Sequence, residues 1–564
     1  VRQRTSSFSA MRFLLNLFAS AFVAGAQSSA TLDDLQHRAT ESLNSIPLAE
    51  NWQELERNRA PFRLQLEEAL GLRWAPVGRT VPASVYTPKE LKGRTAAVIL
   101  LRPHRNPTEP EVQAFPSALA ELGLFVIEVD ARADHEQLKL LAEGITPQTL
   151  IQQSVGSALA FLKSNESVDS TRIALAGEGL ASVVAAAIHP EIAVAVMLSG
   201  LPDLHTMVRQ MRALNGKDNP DHCTLVPGLF RFVTIQRLVS LIAPRPLLVL
   251  HAVDGPLQDA MEVYRMAGAT EPGYTAGHDA SPTGQFRVYS WLARHLQQRQ
   301  DVNAFTPSRQ SAAPFPVELQ TQGGPGNTQK MGISEQLLSK LFGTSLDEGH
   351  STLALNCHPG PQVFGLGNKR VNLFPQTGIE IPATVLRPGS TGCDAARGTL
   401  IAISDKGRSD LVSDEIVQEA NRRGWIVWML DVRGIGELAT QQEAFVSAMS
   451  LLLGEHFSWR QATDVLRILR RVGGAGSRDP TALYARGKAS GLAATYVAAT
   501  AERRELAWTV LRDGPASFRK PSDSPQWMAP YAALQHFDIP DLWQIAKSNV
   551  YVIESPEEFI RKEW

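Results

Sequence analysis

Two short stretches carry the residue pattern of a turn built to present a nucleophile. In the first, Arg172-Ile173-Ala174-Leu175-Ala176-Gly177-Glu178-Gly179-Leu180-Ala181-Ser182, an apolar strand-like run breaks at small residues and passes into an alanine-rich helix. That spacing is a nucleophile elbow. The central residue sits in a strained turn between strand and helix, and the residues two places to either side must be small for the backbones to pass. Gly177 and Ala181 satisfy the requirement, but the centre is Gly179, which has no atom to attack a carbonyl. The second stretch, 482–494, reads the same way with Ala489 at its centre, because Asp169 and Asp479 each precede the chosen centre by ten residues. Ser490 lies beside it, yet a shift of one residue would bring Lys488 and Leu492 to the positions that need small side chains. Acyl-enzyme formation therefore lacks its attacking oxygen in both places.

The elements that would position these turns recur in order. Val81-Pro82-Ala83-Ser84-Val85-Tyr86-Thr87-Pro88 is matched 300 residues later by Ile381-Pro382-Ala383-Thr384-Val385-Leu386-Arg387-Pro388, with prolines that suit an edge strand. Ala96 to Leu101 is matched by Gly398 to Ile403, continuous apolar runs that suit strands covered on both faces. Leu122 to Arg132 is matched by Arg423 to Arg433, and helical patterns precede both turns. Two further apolar runs follow each turn, at 192–198 and 246–250, and at 506–511 and 550–553. Strand and helix alternating in this way predict an α/β class with two mostly parallel sheets, each flanked by helices on both faces. Helical spacing over 31–72 adds an N-terminal packing segment. The Pro-, Gly-, Gln- and Ser-rich stretch 301–335 reads as a linker, dividing a first domain, 27–300, from a shortened second, 336–564.

This order of parts resembles the α/β-hydrolase superfamily, and in particular the secreted acetyl xylan esterase-like and dienelactone hydrolase-like proteins, here as a tandem of two divergent copies. The resemblance is carried by Asp130-Ala131-Arg132 and Asp431-Val432-Arg433-Gly434-Ile435-Gly436-Glu437, by the two turns, and by Val226-Pro227-Gly228-Leu229-Phe230-Arg231-Phe232 leading to Ile242-Ala243-Pro244-Arg245-Pro246. It implies the chain order nucleophile, acid, histidine. Asp254 matches the acid and His278 the histidine, so the first half holds a remnant acid and base with a vacancy at Gly179. The resemblance also places oxyanion donors at the backbone of Leu180 and in the loop at His104, although His104 is followed by Arg105 where the family has glycine. The second half offers only Glu557 or Glu558 near its acid position, and its histidines precede the strand. Two readings follow: a weak carboxylic-ester hydrolase, working through another nucleophile or a water activated by His278, or a non-catalytic binder of a carbohydrate, an ester or a partner protein.

Composition narrows the partners. At 564 residues the chain exceeds one ordinary core, and 55 basic against 57 acidic side chains give a net charge of −2, which offers nothing to nucleic acid. Cys223, Cys357 and Cys393 have no metal-ligand spacing, so neither metal nor cofactor is expected, and a Cys357–Cys393 disulfide stays open beside buried thiols. Met11-Arg12, the apolar run 13–23 and Ala24-Gly25-Ala26 have the form of a secretory signal over 1–26, predicting cleavage near Ala26 and a secreted or periplasmic protein without stable membrane insertion.

Overall fold

The computed structural model describes residues 31–72, 78–90, 93–102, 110–130, 140–210, 224–276, 282–299, 314–321, 333, 337–338, 369–376, 379–388, 396–439, 443–472, 479–520 and 530–562. The apolar runs become strands: β1 (Thr80–Tyr86), β2 (Thr95–Leu101), β3 (Phe125–Val129), β4 (Val168–Gly177), β5 (Val194–Met197), β6 (Leu247–Ala252), β7 (Gly273–Ala276) and β8 (Phe315–Gln320). They form one sheet ordered β7-β6-β5-β4-β2-β3-β1-β8, parallel except where β1 meets β3 and β8. A second sheet holds β9 (Lys369–Gln376), β10 (Ile379–Leu386), β11 (Gly398–Ser404), β12 (Trp425–Leu430), β13 (Thr481–Arg486), β14 (Trp508–Arg512) and β15 (Asn549–Ile553). Its order is β15-β14-β13-β11-β12-β10-β9, again parallel apart from β10 and its two neighbours. The α/β class read from the sequence is therefore the observed one.

β8 lies within the stretch read as linker. It pairs antiparallel with β1 from Thr80–Gln320 to Val85–Phe315, so the sheet of the first half extends into that stretch. Only Leu319 of its side chains is fully buried and Phe315 stands 69% exposed, which left the strand no apolar run to announce it.

Each sheet is covered on both faces, so β2, β11 and the Ile173–Gly177 part of β4 are buried nearly throughout. The helix Gly179–Ile188 is buried along its whole length from Leu180. Arg245, from the Ala-Pro-Arg-Pro entry to β6, donates to the carbonyls of Ala186 (2.7 Å), His189 (3.1 Å), Ile192 (2.7 Å) and Leu241 (2.8 Å). A cation there satisfies carbonyls at helix C-termini, which gives that arginine a structural role.

His189 ends the same helix, and its Nε2 is buried without a hydrogen-bond partner. Burial pushes its imidazolium down to about 4 from 6.5. Because the folded value is the lower one, the stabilisation is complete above pH 6.5 and is lost as pH falls toward 4. The loss amounts to something on the order of 3 kcal/mol. Urea unfolding of His189→Gln at pH 7 and 4.5 should show a smaller pH difference than the native chain.

The two halves share a seam. Phe445, Val446, Met449, Leu452, Leu453 and Phe457 of the second half belong to the main core of the first. Glu455, 8% exposed, accepts from Arg38 (2.6 and 2.7 Å) of the helix 31–45 and from Arg460 (2.6 and 3.1 Å), with Arg231 3.5 Å away. Burial alone would raise its carboxyl, but the charges of Arg38 and Arg460 hold it below the usual range. Beside it Arg433 and Asp464, both buried, make two parallel bonds of 2.6 and 2.7 Å. The Val226 to Phe232 motif meets this seam, where the N–H of Gly228 donates to Leu451 O (2.8 Å).

Candidate active site

β4 ends at Gly177, and a Cβ there would lie 2.1 Å from Ser182 Oγ and 2.6 Å from Leu101 O, so only glycine fits. Glu178 is extended, and Gly179 then turns at φ +66° to open the helix Gly179–Ile188. A Cβ on Gly179 would meet nothing within 4 Å among the described residues. The turn thus keeps a crowded position at Gly177, a left-handed apex and, among the described residues, open space in front of it. The N–H of Gly179 donates to Oγ of Ser199 (2.8 Å), an exposed hydroxyl on the loop after β5. Leu180 buries its side chain in the first helical turn, whose N–H groups lack intrahelical partners and favour an anion.

Asp254 follows β6 at the same C-terminal edge of the sheet, as the first residue of the helix Asp254–Met266. It is exposed and makes no hydrogen bond among the described residues. The loops after β5 and β6 touch: a Cβ on Gly200 (φ +84°) would stand 2.9 Å from the carbonyl of His251, itself at φ +52°. His278 and His104 lie outside the described residues, so neither is placed against Asp254 or Leu180. Arg102, just before the His104 loop, is buried against Glu128, with Nε 3.0 Å from its carboxylate.

The second half corrects one assignment. Leu101 pairs with Val129 and Gly177, while Ile403 pairs with Leu430 and Ala485, so Gly179 corresponds to Gly487 and Ser182 to Ser490. Gly487, at φ +107°, is the apex residue, and Ala489 lies two places further on inside the helix Lys488–Thr500. Counting from the aspartates failed because β4 carries a register irregularity at Asp169, where an Asx turn adds residues that the regular β11–β13 pairing lacks.

The second apex is filled. Asp405, directly after β11, accepts from the N–H groups of Ala489 (3.2 Å) and Ser490 (2.8 Å). A Cβ on Gly487 would come within 2.3 to 2.8 Å of its carboxylate atoms. The chain's own carboxylate therefore occupies the space that a nucleophile and its oxyanion would need. Asp405→Ala should cost about 1 to 2 kcal/mol of stability, as the loss of a charged helix cap does, and urea unfolding would measure it. Further along, the helix Pro556–Lys562 follows β15 after only Glu554 and Ser555 and packs Phe559 against Trp508 and Tyr551. In the first half, Asp254, its helix and β7 stand between β6 and the helix Pro282–Gln297.

No group of three His, Cys, Asp or Glu side chains that could hold a metal ion occurs among the described residues, nor does any helix there that is long and apolar enough to cross a membrane.

No protein-family model and no curated protein sequence matches the chain. Solved structures similar in outline include a candidate acetyl xylan esterase from Bacteroides fragilis (16% identity, 43% of this chain and 82% of that one, TM-score 0.35). A methylesterase (17%, 49% and 72%, TM-score 0.36) and a glucuronoyl esterase from Sporotrichum thermophile (14%, 44% and 84%, TM-score 0.32) are others.

Proposed function

We propose that this chain is a tandem α/β-hydrolase-like protein of the carboxylic-ester hydrolase type, exported after cleavage near Ala26, whose first half keeps a cleft for a small or carbohydrate ester and whose two halves have both lost the nucleophile. The observation that carries the reading is the turn at Gly179: a left-handed apex directly after β4, with Gly177 crowded behind it, open in front among the described residues and without a side chain. A fold does not by itself specify an activity, and it is the retention of this sharp strand–turn–helix geometry that supports an inherited ester cleft. Asp254 and His278 are its remnant acid and base. Of the two halves, the first holds the ligand, because Asp405 fills the counterpart at Gly487.

Native protein should bind short acyl esters or acetylated oligosaccharides without releasing acid above the buffer rate, measured by calorimetry beside a p-nitrophenyl acetate assay. Native hydrolysis that His278→Ala abolishes would sink the binding-only reading and establish a water activated by that imidazole, a mechanism worth only about 100- to 10,000-fold.

A further inference from the structure

We infer that residues 531–535 of the second half hold one wall of the first half's cleft in place, and through it the turn at Gly179. The inference rests on the reading of that edge as a ligand cleft, and it assigns the second half a positioning role although its own apex is filled.

The wall is the segment 140–146. It lies between β3 and the helix Pro147–Ser164, so it stands at the C-terminal edge of the parallel strands, the edge on which Gly179 opens. Three bonds reach it and its neighbour from the second half. The N–H of Ala532 donates to Leu141 O (2.9 Å), Nε2 of Gln535 to Glu143 O (2.9 Å), and the hydroxyl of Tyr531 to Ala69 O (3.3 Å). The approach is close enough to exclude side chains. A Cβ on Gly144 would lie 2.3 Å from Gln535 Nε2, and one on Gly71 would lie 2.2 Å from Gly144 O and 2.8 Å from the Tyr531 hydroxyl. Ala532 takes φ +61° to make its bond, a conformation that alanine rarely adopts. Leu141, Leu225 and Ala448 form a small apolar cluster here, with Leu451 and Tyr531 packed against it.

From the wall the contacts continue to the turn. Thr146 and Thr149 close a capping box on the helix Pro147–Ser164, and the Thr149 hydroxyl also donates to Leu70 O. One turn on, the buried Gln152 donates through Nε2 to Gln148 (2.7 Å) and to the carbonyl of Ala181 (3.0 Å), two residues past Gly179. The Gln152 Nε2 donor is satisfied only in this arrangement, and displacing it would add an unpaired donor to an Oε1 that is already buried without a partner among the described residues.

The test is amide hydrogen exchange on the full chain, comparing the native protein with Gln535→Glu, which keeps the volume and removes the donor, and with Tyr531→Phe. We expect exchange about tenfold faster over 141–152 and 180–183 in each variant, with β13 to β15 unchanged. Unchanged exchange over 141–152 would overturn the inference, as would an increase shared by β13 to β15. A second arm places Gln535→Glu in a Gly179→Ser background, where kcat for p-nitrophenyl acetate should fall about tenfold at constant KM. If Gly179→Ser shows no esterase activity, the ester-cleft reading fails, while the exchange data still decide whether the wall is held from the second half.

Discussion

Gly179→Ser is expected to give the protein an esterase activity at least about 100-fold above the native level on p-nitrophenyl acetate, and His278→Ala in that background is expected to remove it. Deleting the serine of a working triad lowers turnover about a million-fold, so restoring the hydroxyl has wide room to act even if the remaining groups are imperfectly placed. Among the described residues no atom lies within 4 Å of where the new Cβ would stand. Serine at φ +66° costs about 1 to 2 kcal/mol, a strain the flanking strand and buried helix can sustain. The hydroxyl would stand over the first turn of the helix Gly179–Ile188, whose N–H groups can receive an oxyanion. Gly487→Ser is the internal control. Its Cβ would press into the Asp405 carboxylate at 2.3 Å, so that variant should gain no hydrolysis and should lose stability.

The second large effect is at the seam. Glu455→Ala should cost about 3 to 5 kcal/mol, because it removes the one carboxylate that Arg38 and Arg460 share, taking the buried Arg460 guanidinium's bonded carboxylate and leaving Arg38 with Asp34. Arg231→Ala should cost less than about 1 kcal/mol, since that side chain is 43% exposed and its nearest approach to Glu455 is 3.5 Å. Urea unfolding followed by fluorescence would separate the two variants. Equal, small losses would mean that the seam is not held by this carboxylate. Arg38 lies on the helix 31–45, so the same change should also loosen the N-terminal segment and shift its proteolysis to lower urea.

The core strands were legible because strands covered on both faces must be apolar throughout, as in Ala96 to Leu101 and Trp425 to Leu430. β8 was not, since an edge strand with Pro316, Glu318 and Gln320 outward resembles a linker. Gly177, Gly179 and Ala181 could be recognised from local sterics alone. The apex at Gly487 could not, because its register depends on an irregularity in the other half of the chain. Asp405 stands where a loop after the first central strand is expected, but its partners Ala489 and Ser490 are more than 80 positions away, and no local pattern announces such a bond. The same holds for the bonds of Glu455 to Arg38 and Arg231, which come from distant segments, whereas Arg460 is only five residues on.

Asp405 also bears on any search for ligands of this protein. A carboxylate tethered by its own backbone competes at an effective concentration well beyond the millimolar range, and dilution never weakens it. Free acetate or a hydrolysed acid product would therefore have to displace a tethered group, so titrations with small anions should report no event at the second apex.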